Sequence, residues 1–441
     1  MSANQNTEQV VSQLIDQGAV SLRQICIICL CLILNMLDGF DITAMAVVAK
    51  TVGEDLNMSA DKVGWIFSFA LAGMMFGAMV LASLSDILGR RKLVIISLLL
   101  VAVSIIATAW AETLTQFIVL RFISGMGAGA MLACVATLTA EYSPEKYKAL
   151  AVGIVTAGYP MGAMMTSVVA KSIMPEYGWQ GMFLFGGFLT LAMVVITFLF
   201  IPESLKFLFE KRPAGALDTA NRILVKLKKN TLAQLPEITQ SSVKGGGLIT
   251  NMKSLLQGDF LKTTLTLWFA FFFCICTLYV LLSWTPRLVE DAGYGVQAGR
   301  DAFFWFNFGG VSGIVMMGLL SARFHLSKVI TAMTIAAAVA MVLFAALELT
   351  FQSMLVLIFL VGFLQQGGYT GLYAAAAKAY PTAIRSTGIG WAIGLGRFGA
   401  VVGPAITGYM IAAGFDMSYI FYAFSIPLLF GAVLAYTLKI R

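Results

Sequence analysis

Two aspartates, Asp38 and Asp41, stand three residues apart in a predominantly apolar stretch that runs from residue 24 to residue 49. On a helix that spacing puts both carboxyls on one face. An ionised residue at mid-bilayer costs about 2.5 to 3.5 kcal/mol by insertion scales, so two together call for a reason. Desolvation and like charge both favour a protonated carboxyl, and two interacting carboxyls titrate as one coupled unit. Such a pair suits proton uptake and release; a structural pair near a helix end is the competing reading. Arg121 and Arg397 are the only basic residues well inside apolar segments. A guanidinium stays charged and offers a planar fork matched to a carboxylate, so one can hold an anion while the other balances the aspartates. A purely structural ion pair is again the alternative. The sole histidine, His325, falls in a turn between segments, which leaves proton handling to carboxylates.

Polar side chains elsewhere in the apolar segments narrow the search for a ligand chamber. Asn307, Gln365, Gln366 and Tyr373 are the candidates, because an amide buried without a partner is costly. Rings are plentiful around them, among them Phe271, Phe272, Phe273, Tyr279, Trp305 and Tyr369. Asp86, Arg90 and Glu141 fall at helix ends on one side of the membrane, where opposite charges can latch two bodies that rock against each other. The sequence has no P-loop and no HExxH, and its one histidine lies in a loop, so enzymatic chemistry finds no support. All six cysteines sit in apolar segments, where they act as small hydrophobes. No metal or cofactor is expected.

The elements that must position these residues follow from composition. Of 441 residues, 59% are hydrophobic and 12% charged, against about 45 to 50% apolar and about 25% charged in soluble domains. Twelve apolar segments can be marked between residues 24 and 438, each long enough to span a bilayer as a helix. The expected class is an all-α polytopic membrane protein with twelve transmembrane helices. Residues 1–23 form an N-terminal tail, 24–201 a six-helix bundle, 202–262 a polar central loop whose Gly245-Gly246-Gly247 make it read as a tether with some amphipathic helix, 263–438 a second six-helix bundle, and 439–441 a C-terminal tail. Residues 1–22 lack the basic region and cleavage site of a signal peptide. Outside the central loop, twelve Lys/Arg fall on the side of the termini and five on the other. That bias puts both termini in the cytoplasm. The net charge of +7 is then topogenic and faces lipid headgroups; no nucleic-acid partner is implied.

The halves repeat. At one offset Gly73 matches Gly309, Gly77 matches Gly313 and Lys92 matches Lys328; one residue further on, Gly125 matches Gly362, Pro144 matches Pro381 and Gly153 matches Gly390. A duplicated six-helix unit explains the clustering, and in such carriers the substrate site lies between the halves near mid-membrane.

The loop Leu84-Ser85-Asp86-Ile87-Leu88-Gly89-Arg90-Arg91-Lys92 resembles the signature G-x-L-a-D-R-x-G-R-R of the major facilitator superfamily, with Ala82 and Ile87 departing from it. Arg121-x-x-x-Gly125-x-Gly127-x-Gly129 and Pro202-Glu203-Ser204 resemble its fourth-helix and sixth-helix motifs. Asp38-Gly39-Phe40-Asp41, Gly178-Trp179-Gln180, Trp284-Thr285-Pro286 and Gly396-Arg397-Phe398-Gly399 are similar to the aromatic acid:proton symporter family. The resemblance implies the major facilitator fold, two six-helix repeats, and proton-coupled uptake of an aromatic or related small carboxylate across the inner membrane by alternating access. It assigns Arg121 to a proton relay and Arg397 to anion recognition, beside the residues' own readings of proton coupling for Asp38, Asp41 and Arg121 and gating for Asp86, Arg90 and Glu141; a monomer is expected. A proton-antiport exporter of drugs or metabolites is one alternative; Gly158-Tyr159-Pro160-Met161-Gly162 departs from the exporters' G-x-x-x-G-P-x-x-G-G. A symporter of a non-aromatic organic acid and a membrane sensor are the others.

Overall fold

The computed structural model describes residues 7–236, 255–257, 260–380 and 382–438, and among these there is no β-strand. Among the described residues, eleven helices are long and apolar enough to cross a membrane. They are α1 (Leu22–Asp55), α2 (Ala60–Phe76), α3 (Arg90–Thr108), α4 (Leu114–Tyr142), α5 (Lys148–Phe200), α6 (Phe260–Val289), α7 (Val296–Arg323), α8 (Leu326–Ala346), α9 (Phe351–Ala379), α10 (Thr382–Ala412) and α11 (Met417–Thr437). Local chemistry starts them: Ser21 with Gln24, and Thr113 with Gln116, close capping boxes on α1 and α4, satisfying backbone donors that a helix start leaves open.

The sequence reads residues 149–171 and 180–201 as separate segments, and α5 carries both. It is 53 residues long and breaks at Gly178, whose φ of 60° departs from helical geometry and suits a residue without a Cβ. The two arms run back along each other. Asn35, partway along α1, donates to the carbonyl of Val155 at 2.5 Å, Arg23 at the start of α1 donates to the carbonyl of Phe200 at 2.8 Å, and Trp179 donates to Asp55 at the opposite end of α1 at 2.8 Å. With α5 crossing twice, the crossings number twelve.

The sequence repeat is a packing repeat. A Cβ on Gly73 or Gly77 would meet the backbone of Phe122 or Met126, and one on Gly309 or Gly313 would meet Phe359 or Phe363. Likewise Gly125 lies against Ala70, and Gly362 against Phe306. The α2–α4 contact of the first half thus recurs as the α7–α9 contact of the second at the same two offsets. Small residues let membrane helices approach closely where lipid offers no hydrophobic drive for association.

The segments read as tail and tether are partly built into the fold. Thr7–Asp16, Leu205–Lys211 and Ala216–Lys226 are helices. Leu14, Ile15, Leu208, Phe209, Ile223 and Leu224 share one apolar cluster with Ile27 and Cys31 of α1. Lys229 donates to the carbonyls of Gln17 and Ala19, which ties the two segments together. Gly245 to Gly247 lie outside the described residues.

Several hydrogen bonds and ion pairs joining the halves lie toward the end of the bundle away from the termini. Trp65 donates to Tyr409 at 3.0 Å, Ser68 to the carbonyl of Val401 at 2.6 Å, and Lys171 to Asp301 at 2.7 Å. Lys50 pairs with Glu290 at 3.4 Å and Asp291 at 3.0 Å. Gly64 of α2 nests against Pro404 and Gly408 of α10. The halves are therefore closed at the far end, and the cleft between them opens toward the termini.

Candidate functional site

Close packing of α1 on α5 sets the aspartates. Gly39 lies against the backbone of Tyr159, and Gly162 against the backbone of Met36, so α1 and α5 touch within a turn of Asp38. Asp38 and Asp41 are buried to 1% and 2% exposure, yet their surroundings differ. Asp41 accepts a hydrogen bond from Arg121 of α4 at 2.8 Å, with both side chains buried. Arg121 also reaches Thr108 of α3 at 3.3 Å and lies 5.0 Å from the centre of the Phe183 ring, a cation–π distance. Asp38 has no hydrogen-bond partner for either carboxyl oxygen among the described residues. Its electrostatic neighbours are Asp41 and Arg397.

Arg397 comes from α10 between two glycines. A Cβ on Gly396 would come within 2.7 Å of Phe271, and Gly399 lies on the carbonyl of Phe272. These contacts press α10 onto α6 and turn Arg397 inward while Phe398 stays exposed. Tyr279, Tyr369, Tyr373 and Asp38 are the charged and phenolic groups around the guanidinium, and Tyr159 faces Tyr279 and Asp38. Among the described residues no carboxylate forms an ion pair with Arg397. Phe271 meets the rings of Tyr369 and Tyr373 edge-on at 6.2 and 5.3 Å, and the two tyrosine hydroxyls share a hydrogen bond. Arg397 and the four tyrosines keep part of their surface accessible although they sit deep between the helices, so they line an internal chamber. One guanidinium, several ring faces and edges, and one unpartnered carboxyl can together take up a small aromatic anion and a proton.

The amides occupy different positions. Gln365 is 1% exposed and donates to the carbonyl of Cys274 at 2.8 Å, binding α9 to α6. Asn307 donates within its own helix to Phe303 at 2.9 Å, leaving its carbonyl oxygen unpartnered among the described residues. Gln366 packs over Gly310 with its amide nitrogen unpartnered. Of the predicted polar lining, Tyr373 stands beside Arg397.

At the terminus-bearing end, Arg90 and Glu141 form an ion pair. Ser204 donates to Glu141 at 2.6 Å and accepts from Arg90 at 3.2 Å. Glu203 accepts from the backbone of Arg91 at 3.0 Å, and its carboxylate occupies the space beside Gly89, where φ is +95°. This network lies within the first half. The side chain of Asp86 lies outside the described residues.

Sequence reasoning used Tyr159 only as a break in the exporter motif. Its signal was present: a phenol between Gly158 and Gly162, two glycines whose face meets α1 at Asn35 and Met36. Ser204 was likewise missed as the hydroxyl joining Arg90 to Glu141.

With this geometry in hand, comparison with known proteins agrees on the class. The family model for the Major Facilitator Superfamily matches residues 31–316 and 301–441. The benzoate transport protein of Acinetobacter baylyi is 29% identical over 439 residues, 98% of this chain and 93% of that protein. The 4-hydroxybenzoate transporter PcaK of Pseudomonas aeruginosa is 30% identical over 424 residues, 95% of this chain and 93% of that protein. The inward open xylose transporter XylE from E. coli superposes with a TM-score of 0.73 at 14% identity, over 94% of this chain and 96% of that one. The chain belongs to the Major Facilitator Superfamily, a superfamily of transporters rather than enzymes, and is similar over nearly its whole length to aromatic acid transporters.

Proposed function

We propose that this protein carries an aromatic or closely related small carboxylate into the cell together with protons, by alternating access across the inner membrane with both termini in the cytoplasm. The observation that carries the reading is Arg397: a deep, part-accessible guanidinium that forms no ion pair with a carboxylate among the described residues, ringed by Tyr279, Tyr369 and Tyr373. A buried charge is tolerable when something compensates it, and an anionic substrate does so while its ring rests on the aromatic lining. The excess of Lys/Arg at the terminus-bearing end supports the orientation. The relatives' names as carriers of benzoate and 4-hydroxybenzoate support the substrate class. The chamber is built within one chain, so a monomer suffices.

In the proton step, Asp38 accepts a proton when the cleft faces outward and releases it when the cleft faces the cytoplasm. Its closeness to Arg397 links the two events: a bound carboxylate neutralises the guanidinium and thereby favours the protonated aspartate. Asp41, already paired with Arg121, orients the proton site instead of carrying the bulk of the exchange. Equilibrium binding tests the substrate class. Benzoate and 4-hydroxybenzoate should bind, while benzamide, with its ring intact and its charge absent, should bind at least tenfold more weakly. Equal affinity for acid and amide would remove Arg397 from recognition.

A further inference from the structure

A second site stands at the terminus-bearing end, on the outer side of the first half and away from the transport chamber. A cleft of about 230 Å³ is lined by Arg23 of α1, Arg91 of α3, Phe198 and Phe200 of α5, and Arg222 and Lys226 of the helix Ala216–Lys226. Glu203 is its one acidic lining residue, and that carboxylate already accepts from the backbones of Arg91 and Ser204. Four cations therefore face one committed anion.

The arginines are held but not used up. Arg23 donates to the carbonyl of Phe200 at 2.8 Å and stacks on its ring at 5.3 Å. Arg91 donates to the carbonyl of Phe198 at 2.5 Å, lies 5.0 Å over that ring, and keeps a buried Nε without a partner among the described residues. A guanidinium has five N–H donors, so each retains donors for a further acceptor. Arg222 and Lys226 are exposed on the opposite wall. Phe198, Leu199 and Phe200 are 57%, 62% and 44% exposed where α5 leaves the apolar zone. The cleft thus joins a cationic pocket to a lipid-facing apolar rim, at the depth where headgroups lie.

We infer that this cleft binds a phosphate group, carried by an anionic phospholipid of the adjoining leaflet or supplied as free phosphate. Clustered Lys/Arg beside membrane helices recognise anionic headgroups, and the docked helix Ala216–Lys226 is the wall such a lipid would hold in place.

The test uses the full-length protein purified in detergent and titrated with dioctanoyl phosphatidylglycerol, dioctanoyl phosphatidylcholine and inorganic phosphate. Phosphatidylglycerol should bind about tenfold or more tightly than phosphatidylcholine and weaken with salt. Replacing Arg222 and Lys226 together by Ala should abolish that preference. Replacing Lys146 and Lys148 by Ala, which removes the same charge elsewhere on that end, should leave it intact. If inorganic phosphate displaces the lipid and binds equally well alone, the site is a free-phosphate site; if it fails to compete, the headgroup with its apolar rim is the ligand. Either result supports a phosphate site. Equal binding of the two lipids, or a preference that survives Arg222→Ala with Lys226→Ala, or one lost equally in the lysine control, would overturn it.

Discussion

Asp38 and Asp41 share a helix face in the sequence, and the fold gives them opposite circumstances. Asp41 is half of a buried ion pair with Arg121; Asp38 is buried without a hydrogen-bond partner among the described residues. Removing one member of a buried pair leaves an uncompensated charge and costs about 3 to 5 kcal/mol, whereas neutralising a lone buried carboxyl relieves a desolvation cost. Asp41→Asn should therefore lower the unfolding temperature of the purified protein, while Asp38→Asn should leave it unchanged or raise it. A thermal melt in which Asp38→Asn is the less stable of the two would contradict this division. The residue types and the i, i+3 spacing were legible without coordinates, as was the isolation of two arginines. Which arginine meets which aspartate was not, because it depends on how Gly39 and Gly162 seat α1 on α5. Gln365 illustrates the same limit: the sequence offers it as lining for the chamber, but its donation to Cys274 depends on the angle between α9 and α6.

Glycine spacing does at the level of helices what charge does at the level of residues. The repeated contacts of Gly73 and Gly77 with α4, and of Gly309 and Gly313 with α9, show that the duplication seen in the sequence is a duplication of helix-crossing sites. Inserting a side chain at such a crossing forces backbone shifts that typically cost about 1 to 3 kcal/mol. Gly162→Leu should accordingly lower both stability and transport by moving Tyr159 away from Asp38. The same substitution at Gly153, beside which there is open space, should be tolerated. Matching losses at the two positions, read by thermal unfolding and uptake, would show that the α1–α5 crossing has no special weight. The central loop was the least legible element. Its length and composition suggested a tether with some amphipathic helix, and Ala216, Ala220, Ile223, Leu224 and Leu227 form an apolar stripe that is buried against the first bundle. A stripe of that kind says that a helix docks; it does not say on which surface.

Across the whole molecule, the charges on the far side have a purpose that the topology count hid. Of the five Lys/Arg assigned there, Lys50 and Lys171 pair across the seam with Glu290, Asp291 and Asp301. These pairs are partly exposed and each contributes about 0.2 to 1 kcal/mol. Losing 1 kcal/mol changes a two-state ratio about fivefold. Lys50→Ala combined with Lys171→Ala should shift the population toward the outward-open state, read as a longer distance between labels on the far ends of α2 and α10, with substrate affinity largely retained. An unchanged distance distribution would show that the α2–α10 contact, with Gly64 against Pro404 and Gly408 and the hydrogen bonds of Trp65 and Ser68, closes the seam without the ion pairs. The central claim is that carboxylate movement is driven by protons passing through Asp38. Its most direct measurement is uptake of labelled benzoate and 4-hydroxybenzoate into proteoliposomes with and without an inward pH gradient, for the parent protein and Asp38→Asn. The account predicts gradient-driven accumulation by the parent, and only exchange down the substrate's own gradient by Asp38→Asn. Accumulation by Asp38→Asn equal to the parent's, or parent accumulation indifferent to the pH gradient, would contradict it.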